Sequence, residues 1–568
     1  MMAYSQGHIC QCLTKISTSR LDFPVTLCGN RQKTGFEFVR SVQSLAQGLT
    51  VLGVRRGDVV AIVALNSDWY LEWLLAIAFI GGIAAPLNYR WSFQEARWAM
   101  ELVGPVMLVV DDSCQSWWSI LQLNQLPTLR TIIFLNDSPP DFKTAINVLN
   151  QDTIRKPLKE ALSFDYISAP QGISLICFTS GTTGKPKGVA ISHTALIVQS
   201  LAKIATVGFG EDDVYLHTAP LCHIGGISSA MAMLMVGGYH IFIPKFEAKA
   251  VLTSMELHKV TSLITVPAIM ADFISVTRGQ ETWSGGESVK KILNGGGALS
   301  VELIEGAIYV FPKAKLFSAY GMTEACSSIT FMTLWDPTIR NSTLFSSKSL
   351  CLDRDTAQKG GGICVGKPAP HVELLVRPNN HDVNNPAVGR ILTRGSHLMI
   401  RYWDQIPAMT SDSKELRWLD TGDIGYIDSS GNLWLVGRAK DQIKTGGENV
   451  YPQEVEAVIS QHPGVSGIVV VGVPHVRLTE MVAACVQIRD NWLWEDQNSN
   501  CCNEGKDQIL SERTLKKFCR ERNLSGFKIP KLFILWRKPF PVTTTGKVRR
   551  DEVKREIVSR FQVVSSNL

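Results

Sequence analysis

A loop rich in glycine and hydroxyl side chains follows an apolar stretch in the first third of the chain. Residues 179–188 contain four hydroxyl side chains, three glycines and two lysines, and the preceding stretch, 173–180, has the composition of a buried strand. Glycines let the backbone close round an anion, amides and hydroxyls donate hydrogen bonds, and lysines add positive charge. A surface turn needs glycine or proline but not this combination, so we interpret the loop as a phosphate-binding site. Its candidate ligands are Thr179, Ser180, Gly181, Thr182, Thr183, Gly184 and Lys187.

A Walker-type phosphate loop does not fit this segment. The Walker pattern places Ser or Thr directly after Gly-Lys, and a first glycine five residues before the second. Here Pro186 follows Gly184 and Lys185, and Thr179 stands where the first glycine belongs. The pattern also fails at 546–547, where a valine follows Gly-Lys. The loop therefore belongs to another class of phosphate-binding site.

Alternating strand-like and helical stretches should position this loop. Between 51 and 86, β-branched runs alternate with amphipathic ones, as is typical of parallel-sheet α/β units. From about 333 to 437 the strands are shorter and richer in turns, which predicts a small β-lobe. We expect an α/β protein with a large multi-lobed N-terminal domain (1–437), made of two α/β sheet lobes plus this β-lobe. The segments that we predict to carry buried strands are 59–65, 107–112, 131–137, 173–180, 214–220, 240–246, 262–268, 289–297 and 314–321.

The rest of the chain has the pattern of a separate, smaller α+β domain (438–568). Strand-like runs at 467–473 and 481–488 lie between two helical patterns. Residues 489–511 are polar, which predicts a surface insertion.

Composition excludes several classes of protein. Of the 568 residues, 45% are hydrophobic and 19% are charged, so the chain can bury a core and is not largely disordered. A net charge of +6 without basic runs interleaved with aromatics argues against a nucleic-acid partner. The longest apolar run, 74–87, is shorter than the roughly 20 residues that a transmembrane helix needs. The 13 cysteines are scattered and odd in number, which favours reduced thiols, and none has zinc-site spacing.

Six more motifs follow the loop in order along the chain. They occupy residues 220–223 (PLCH), 294–297 (NGGG), 320–324 (YGMTE), 418–423 (WLDTGD), 437–456 and 541–547 (PVTTTGK). Together with the loop, this series resembles the adenylate-forming superfamily of acyl-CoA synthetases, luciferases and non-ribosomal adenylation domains. The resemblance implies an ATP-dependent acid–CoA ligase. Such an enzyme activates a small carboxylic acid with ATP and Mg²⁺ as an acyl-adenylate and then transfers the acyl group to CoA.

The resemblance assigns nucleotide-binding roles to four of these motifs. Small residues after a strand let a flat ring lie against the backbone, and the resemblance implies that this ring is the adenine of ATP. Glu324, beside Thr323, is implied to be catalytic and to hold Mg²⁺, whose preferred ligands are hard oxygens. Asp423 and Arg438 are implied to bind the ribose hydroxyls, although the two residue types by themselves equally predict a salt bridge. The implied nucleotide ligands outside the loop are Gly295, Gly296, Gly297, Ala319, Tyr320, Gly321, Met322, Asp423 and Arg438.

Lys547 is the residue with the largest expected effect on catalysis. A carboxylate that attacks the α-phosphate brings two anions together, and no general base is needed because a carboxyl group (pKa ~4) is already ionised at neutral pH. A positioned cation and Mg²⁺ reduce the repulsion and stabilise the growing charge. The resemblance implies that Lys547 supplies this cation. It also implies that the C-terminal domain is mobile about a hinge at Lys440, and that Gly446, Gly447 and Glu448 line a tunnel for CoA.

The acyl pocket is assigned to the segment that begins at the PLCH motif. In the superfamily the position of His223 gates this pocket, and we include His223 among the catalytic candidates, although a lone histidine is more often a structural hydrogen-bonding group. Ser228 and Ser229 are implied to line the pocket wall, with ordinary helix packing as the alternative.

The preferred acid follows from stretches outside the general motifs. Segments such as 87–96 and 223–238 resemble the plant 2-succinylbenzoate–CoA ligases of phylloquinone biosynthesis. This acid keeps a second carboxylate after activation, which needs a polar or cationic partner. No lysine or arginine lies between His223 and Lys245 to supply one. The sequence therefore leaves the partner of the second carboxylate unassigned.

Three other functions remain open at this point. The chain could be a ligase for another aromatic or fatty acid, an adenylate-forming enzyme with an acceptor other than CoA, or a non-enzymatic nucleotide-binding module. The retained Lys547, Glu324 and Asp423 argue against the last of these.

The location that we expect is the peroxisome, the chloroplast or both. The pathway implied by the resemblance runs through both compartments. The terminal tripeptide Ser566-Asn567-Leu568 is related to the Ser-Lys-Leu peroxisomal signal. The first 21 residues contain Lys15 and Arg20 but no acid, which is compatible with a transit peptide.

Overall fold

The computed structural model of the chain has two compact units. The first comprises residues 1–344, 365–373 and 393–419, and the second comprises 345–364, 374–392 and 420–568. The residues that the structure describes are 7–114, 117, 126–136, 142, 144, 146–157, 164–180, 186–278, 283–339, 362–378, 388–405, 418–445, 448–475, 477–495, 508–522, 524, 526–543 and 547–565.

The described secondary structure alternates strands and helices through most of the first unit. The strands are β1 (Pro24–Cys28), β2 (Arg31–Thr34), β3 (Val59–Val63), β4 (Ile83–Pro86), β5 (Met107–Val110), β6 (Thr131–Phe134), β7 (Asn147–Asn150), β8 (Ile173–Ser180), β9 (Pro186–Ser192), β10 (Val214–His217), β11 (Tyr239–Phe242), β12 (Ser262–Thr265), β13 (Lys291–Asn294), β14 (Lys315–Met322), β15 (Ser327–Trp335), β16 (Ile363–Pro368), β17 (Glu373–Pro378), β18 (Gly389–Arg394), β19 (Arg401–Tyr402), β20 (Leu419–Ile427), β21 (Leu433–Arg438), β22 (Ile443–Thr445), β23 (Glu448–Val450), β24 (Val465–His475), β25 (Thr479–Ile488), β26 (Trp492–Glu495), β27 (Gln508–Ser511) and β28 (Leu532–Leu535). The α-helices are α1 (Gln11–Ser19), α2 (Gly35–Val51), α3 (Asp68–Phe79), α4 (Phe93–Val103), α5 (Gln151–Ile154), α6 (His193–Val207), α7 (Ile224–Val236), α8 (Ala248–His258), α9 (Pro267–Thr277), α10 (Val301–Val310), α11 (Pro452–Ile459), α12 (Glu512–Glu521) and α13 (Arg550–Ser565).

One sheet of the first unit carries most of the motif-bearing loops. Eight consecutive strands of this 13-stranded sheet run in the order β2–β1–β11–β10–β12–β13–β14–β15. The strands from β11 to β14 are parallel to their neighbours, and β15 returns antiparallel to β14. Parallel strands end at the same edge of a sheet, which is where ligands bind in open α/β sheets. The segments after β10, β13 and β14 are therefore brought to one edge.

The second sheet of the first unit carries the phosphate-loop segment. Its order is β19–β9–β8–β4–β3–β5–β6–β7. Every residue of β3, β4 and β5 is buried, because a parallel strand with both faces covered needs apolar side chains throughout. Strands β8 and β9 are antiparallel, with Thr179 opposite Lys187. The two α/β sheets of the predicted N-terminal domain are thus present.

Helices α6 and α7 pack against each other beside the first of these sheets. The Ser192 side chain caps the start of α6 by accepting a hydrogen bond from the Ala195 amide. Helix α7 begins after His223 and is buried on nearly all sides, including Ser228 and Ser229. A helix that is apolar all round is expected to be enclosed in this way. None of the described helices has the length and apolar character required to cross a bilayer.

The second unit contains a five-stranded sheet with its own core. Strands β17, β18, β20 and β21 are neighbours in that order, and the five-stranded sheet has the order β23–β22–β25–β24 with β28 beside β25. Valines of β24 and β25 pack under α11 on one face and under α13 on the other. The polar stretch predicted as an insertion has paired ends, because β26 and β27 form a two-stranded parallel sheet.

Candidate active site

A tight turn follows β13 at the binding edge of the first sheet. The buried Asn294 donates a hydrogen bond from Nδ2 to the carbonyl of Gly297 at 2.7 Å, and the Gly295 amide donates to the Thr265 carbonyl at 2.9 Å. Gly296 has φ of +74°, a conformation that favours glycine. A Cβ added at Gly295 would meet no heavy atom within 4 Å. The turn therefore presents bare backbone to open space, as a flat ring requires.

The neighbouring strand β14 supplies the second segment of this edge. Ala319, Tyr320 and Met322 are partly buried near its end. A Cβ at Gly321 would lie 1.6 Å from the carbonyl oxygen of Ser327 on β15. Only glycine fits so close an approach, so Gly321 holds the two strands together at the point where the chain reaches Glu324.

Glu324 lies in a 3₁₀ turn directly after β14 and is 8% exposed. Its Oε1 accepts a hydrogen bond from the Tyr402 hydroxyl at 2.9 Å. Burial, followed by the Glu324 charge, raises the pKa of Tyr402, so this phenol stays protonated and remains a donor. Lys187 lies with its Nζ 5.2 Å from the centre of the Tyr402 ring. Tyr402 therefore links the acid of one motif to the lysine of the phosphate loop.

The phosphate loop itself is described only at its two ends. Thr179 is partly buried and lies opposite the exposed Lys187 in the β8–β9 ladder, and the backbone of Ser180 ends β8. The predicted ligands Gly181, Thr182, Thr183 and Gly184 lie outside the described residues.

The predicted acyl-pocket segment starts at the end of β10. The His223 amide donates to the Pro220 carbonyl at 3.1 Å, which forms the turn that leads into α7. His223 is partly exposed, whereas Ser228 and Ser229 are fully buried. Both serine hydroxyls lie within hydrogen-bonding distance of the Lys203 ammonium, at 2.6 and 3.0 Å.

Lys203 is a functional candidate that the motif pattern did not reveal. It lies on α6, which precedes the predicted acyl-pocket segment (223–245) in the chain, and it is fully buried. Burial lowers the pKa of Lys203 to about 7. A signal was available, because a lysine within an otherwise apolar helical stretch is an unusual core residue.

The second unit brings Asp423 and Arg438 together across the β20–β21 ladder. The two residues are opposite each other in register, and Arg438 Nε lies 3.0 Å from Asp423 Oδ1. Asp423 is 6% exposed, and its amide donates to the Thr421 hydroxyl at 3.2 Å. The pair therefore forms the salt bridge that the residue types predict. Lys440 follows in a short 3₁₀ turn.

Glu448 begins β23 and is exposed. The predicted tunnel glycines Gly446 and Gly447 lie outside the described residues. The position of Glu448 is therefore the one observation that bears on the tunnel segment.

Lys547 lies shortly before α13 and is hydrogen-bonded to Thr543. Its amide donates to the Thr543 hydroxyl at 3.1 Å, and its carbonyl accepts from the Thr543 amide at 2.7 Å. Three residues later, Arg550 pairs with Glu456 of α11 through both oxygens of its carboxylate. The Lys547 side chain is exposed on a loop that is anchored at its base.

Comparison with protein families places these features in a known context. A family model described as AMP-binding enzyme matches residues 15–403, which is more than half of the chain. The chain belongs to the AMP-binding enzyme family. A second model, described as AMP-binding enzyme C-terminal domain, matches residues 454–547 of this AMP-binding enzyme. The predicted superfamily, the α/β fold and the division into a large N-terminal and a smaller C-terminal domain are confirmed. The boundary at 437/438 stays a prediction.

Two relatives cover nearly the whole AMP-binding enzyme. The 2-succinylbenzoate–CoA ligase, chloroplastic/peroxisomal, of Arabidopsis thaliana is 53% identical over 577 residues and spans 100% of both chains. An indoleacetate–CoA ligase of Aromatoleum aromaticum is 30% identical over 525 residues, which are 91% of this chain and 92% of the relative.

A solved structure of similar fold carries nucleotide and metal. The o-succinylbenzoate coenzyme A synthetase of Bacillus subtilis, determined with ATP and magnesium ion, has a TM-score of 0.71 and 25% identity. The likeness covers 97% of this AMP-binding enzyme and 99% of that chain.

Proposed function

We propose that the chain is an ATP-dependent acid–CoA ligase whose acid is 2-succinylbenzoate. The reaction converts the acid, ATP and CoA into the CoA thioester, AMP and pyrophosphate. The observation that carries the proposal is the 53% identity, over both full lengths, to the Arabidopsis thaliana 2-succinylbenzoate–CoA ligase.

In the first half-reaction, an oxygen of the substrate carboxylate attacks the α-phosphorus of ATP and pyrophosphate leaves. The repulsion between the two anions sets the barrier. We assign the compensating cation to Lys547 and the phosphate contacts to Thr179, Lys187 and the loop between them. Removing one such electrostatic contact slows comparable reactions by about 10²–10³-fold.

The residues at the binding edge suit Mg²⁺ and the adenine ring. Glu324 offers a nearly buried carboxylate that is already oriented by Tyr402, and carboxylate oxygen is a preferred Mg²⁺ ligand. The bound metal would neutralise phosphate charge. The open space beside Gly295 suits the flat face of adenine, and the buried Asn294 Oδ1 has no hydrogen-bond partner within the described part of the chain.

The remaining nucleotide contacts and the second half-reaction are assigned to the second unit. Asp423 has two acceptor oxygens and Arg438 a fork of donors, so the pair can hold ribose hydroxyls while keeping its salt bridge. The CoA sulfur then attacks the acyl carbon and AMP leaves. We assign the hinge between the two steps to Lys440, and Lys440→Pro should slow thioester formation more than adenylation.

The cellular location that we propose is based on the same relative. The printed name of the Arabidopsis thaliana ligase gives both the chloroplast and the peroxisome, and we propose these compartments for this chain. Fluorescent fusions placed separately at each terminus test the assignment.

Pyrophosphate release across a panel of acids tests the proposed substrate. Purified enzyme with ATP, Mg²⁺ and CoA is given 2-succinylbenzoate, indoleacetate, a hydroxycinnamate and a medium-chain fatty acid. We expect 2-succinylbenzoate to have the highest kcat/KM and to yield its CoA thioester by mass spectrometry. Indoleacetate is the second candidate, because of the 30% identical relative. No response to 2-succinylbenzoate would end the preferred assignment. Adenylation without formation of a CoA thioester would show that the acyl acceptor is a molecule other than CoA.

A further inference from the structure

The Lys203 cluster is a buried polar site behind the binding edge. It consists of Lys203 on α6, Ser228 and Ser229 on α7, and the neighbouring Tyr215 and Cys326. The ammonium lies 2.6 Å from the Ser228 hydroxyl, 3.0 Å from the Ser229 hydroxyl and 3.5 Å from the Gly225 carbonyl. Lys203, Ser228 and Ser229 are all fully buried.

The position of the cluster places it against two elements of the candidate active site. Ser228 and Ser229 lie on the helix that starts at His223. Gln199, one turn before Lys203, donates from Nε2 to the carbonyls of Ala325 and Ser328 at 3.1 and 2.5 Å. Helix α6 is thereby fixed to the turn that carries Glu324. Lys203 therefore lies between the acyl-pocket helix and the turn that carries the implied metal ligand.

The charge of Lys203 has no carboxylate counter-ion. No salt bridge joins Lys203 to an acid within the described residues, whereas the fully buried Asp68 and Glu72 of this unit are paired with lysine and arginine. The nearby Cys326 thiol does not supply a negative charge, because burial raises its pKa. A buried ammonium without an anionic partner is costly. An apolar side chain would pack between the two helices equally well. The presence of a lysine at this position is therefore better explained by binding of a ligand.

We propose that Lys203, positioned by Ser228 and Ser229, binds the second carboxylate of the acid substrate. The inference rests on the proposed function, because that acid is one that keeps a free carboxylate after the other is activated. The Ser228 and Ser229 hydroxyls accept from the ammonium and donate to the carbonyls of Ile224 and Gly225 at 2.7 and 2.8 Å. The carboxylate would therefore accept from the ammonium itself, in place of the Gly225 carbonyl at 3.5 Å, which is the longest of its three contacts. Lys203 is thus the cation that the segment from His223 to Lys245 lacks, contributed instead by the preceding helix.

The protonation state of Lys203 can be measured on substrate binding, and it should not change if the role of Lys203 is purely structural. Burial lowers its pKa to about 7. The other groups that face it are the two serine hydroxyls, the Gly225 carbonyl and, beside Ser229, the Tyr215 phenol, whose pKa is raised by burial. None of these carries charge near pH 8. A bound carboxylate favours the charged ammonium, so substrate binding at pH 8 should take up a proton.

The experiment compares the wild-type enzyme with Lys203→Met, a variant of similar length without charge. Lys249→Met, an exposed lysine on α8, is the matched control. Each enzyme is given 2-succinylbenzoate and 4-oxo-4-phenylbutanoate, which lacks only the ring carboxylate. Loss of one partner from a buried charge pair predicts that Lys203→Met lowers kcat/KM for 2-succinylbenzoate by about 10²-fold or more. We expect less than a threefold change for the analogue, and no change with either acid in the control.

A second measurement covers the case in which Lys203→Met folds poorly. Calorimetric titration of wild-type enzyme with 2-succinylbenzoate at pH 8, in two buffers of different ionisation enthalpy, should show net proton uptake that is absent with the analogue. Equal loss of kcat/KM for both acids, or no difference in proton uptake between them, overturns the assignment of Lys203 while leaving the ligase function intact. Wild-type enzyme that does not turn over 2-succinylbenzoate overturns the proposed function itself, and the inference with it.

Discussion

Tyr402→Phe isolates the hydrogen bond that orients Glu324. The substitution removes one oxygen, the donor that lies 2.9 Å from Glu324 Oε1, and keeps the ring beneath Lys187. A hydrogen bond to a charged group contributes about 1.5–3 kcal/mol, which corresponds to about 10- to 150-fold in rate. We expect adenylation to slow within this range and the Mg²⁺ concentration at half-maximal rate to rise.

The assay for Tyr402→Phe is ATP–pyrophosphate exchange over a range of Mg²⁺ concentrations. Tyr309→Phe is the control, because the Tyr309 side chain is 84% exposed on α10. Thioester formation from preformed acyl-adenylate should be nearly unchanged in both variants, since metal-bound pyrophosphate has already left. An adenylation rate within twofold of wild type, with the same Mg²⁺ requirement, would show that the tyrosine does not orient the carboxylate.

Three further predictions concern charge, close packing and titration. Lys547→Ala should slow adenylation by about 10²–10³-fold and thioester formation from acyl-adenylate much less; equal losses in the two assays contradict its role. Gly321→Ala forces a Cβ to within 1.6 Å of the Ser327 carbonyl and should destabilise the fold by about 1–3 kcal/mol or more. The control is Gly295→Ala, whose Cβ meets no heavy atom within 4 Å; it should leave Tm unchanged and raise KM for ATP. Lys203 has a native pKa of about 7, below the ~10.4 of an unfolded lysine. Between these two pH values the unfolded state therefore holds more protons, and the free energy of unfolding should rise with pH. Urea titrations of Lys203→Met should lack this rise, and identical pH profiles in the wild type and the variant refute the prediction.

The sequence predicted those elements whose pattern is local. The apolar run at 173–180 is strand β8, and the glycine turn after β13 lies where the NGGG motif predicts it. The segment 262–268 was predicted as one strand, but β12 ends at Thr265 and α9 begins at Pro267. Proline at a first helical position starts a helix as readily as it interrupts a strand, so this boundary was ambiguous.

The residues that sequence reasoning missed make contacts between distant parts of the chain. Tyr402 bonds to an acid 78 positions earlier, and Lys203 reaches a serine 25 positions later on another helix. No periodicity or spacing rule connects such pairs, because their proximity depends on how helices and strands pack. The segment that carries the predicted pocket serines contains no lysine or arginine, and the cation that contacts these serines, Lys203, lies on the preceding helix.

The anchoring of the Lys547 loop has a consequence for any rearrangement between the half-reactions. Arg550 bonds to Glu456 on α11 and to the Val470 carbonyl on β24, and Val542 bridges to Val548 across the base of the loop. The residues on both sides of the proposed catalytic lysine are thus fixed to the core of the second unit. Glu456→Gln removes the charge of the Arg550 partner without changing Lys547, so we expect it to loosen this segment and to slow both half-reactions less than Lys547→Ala slows adenylation.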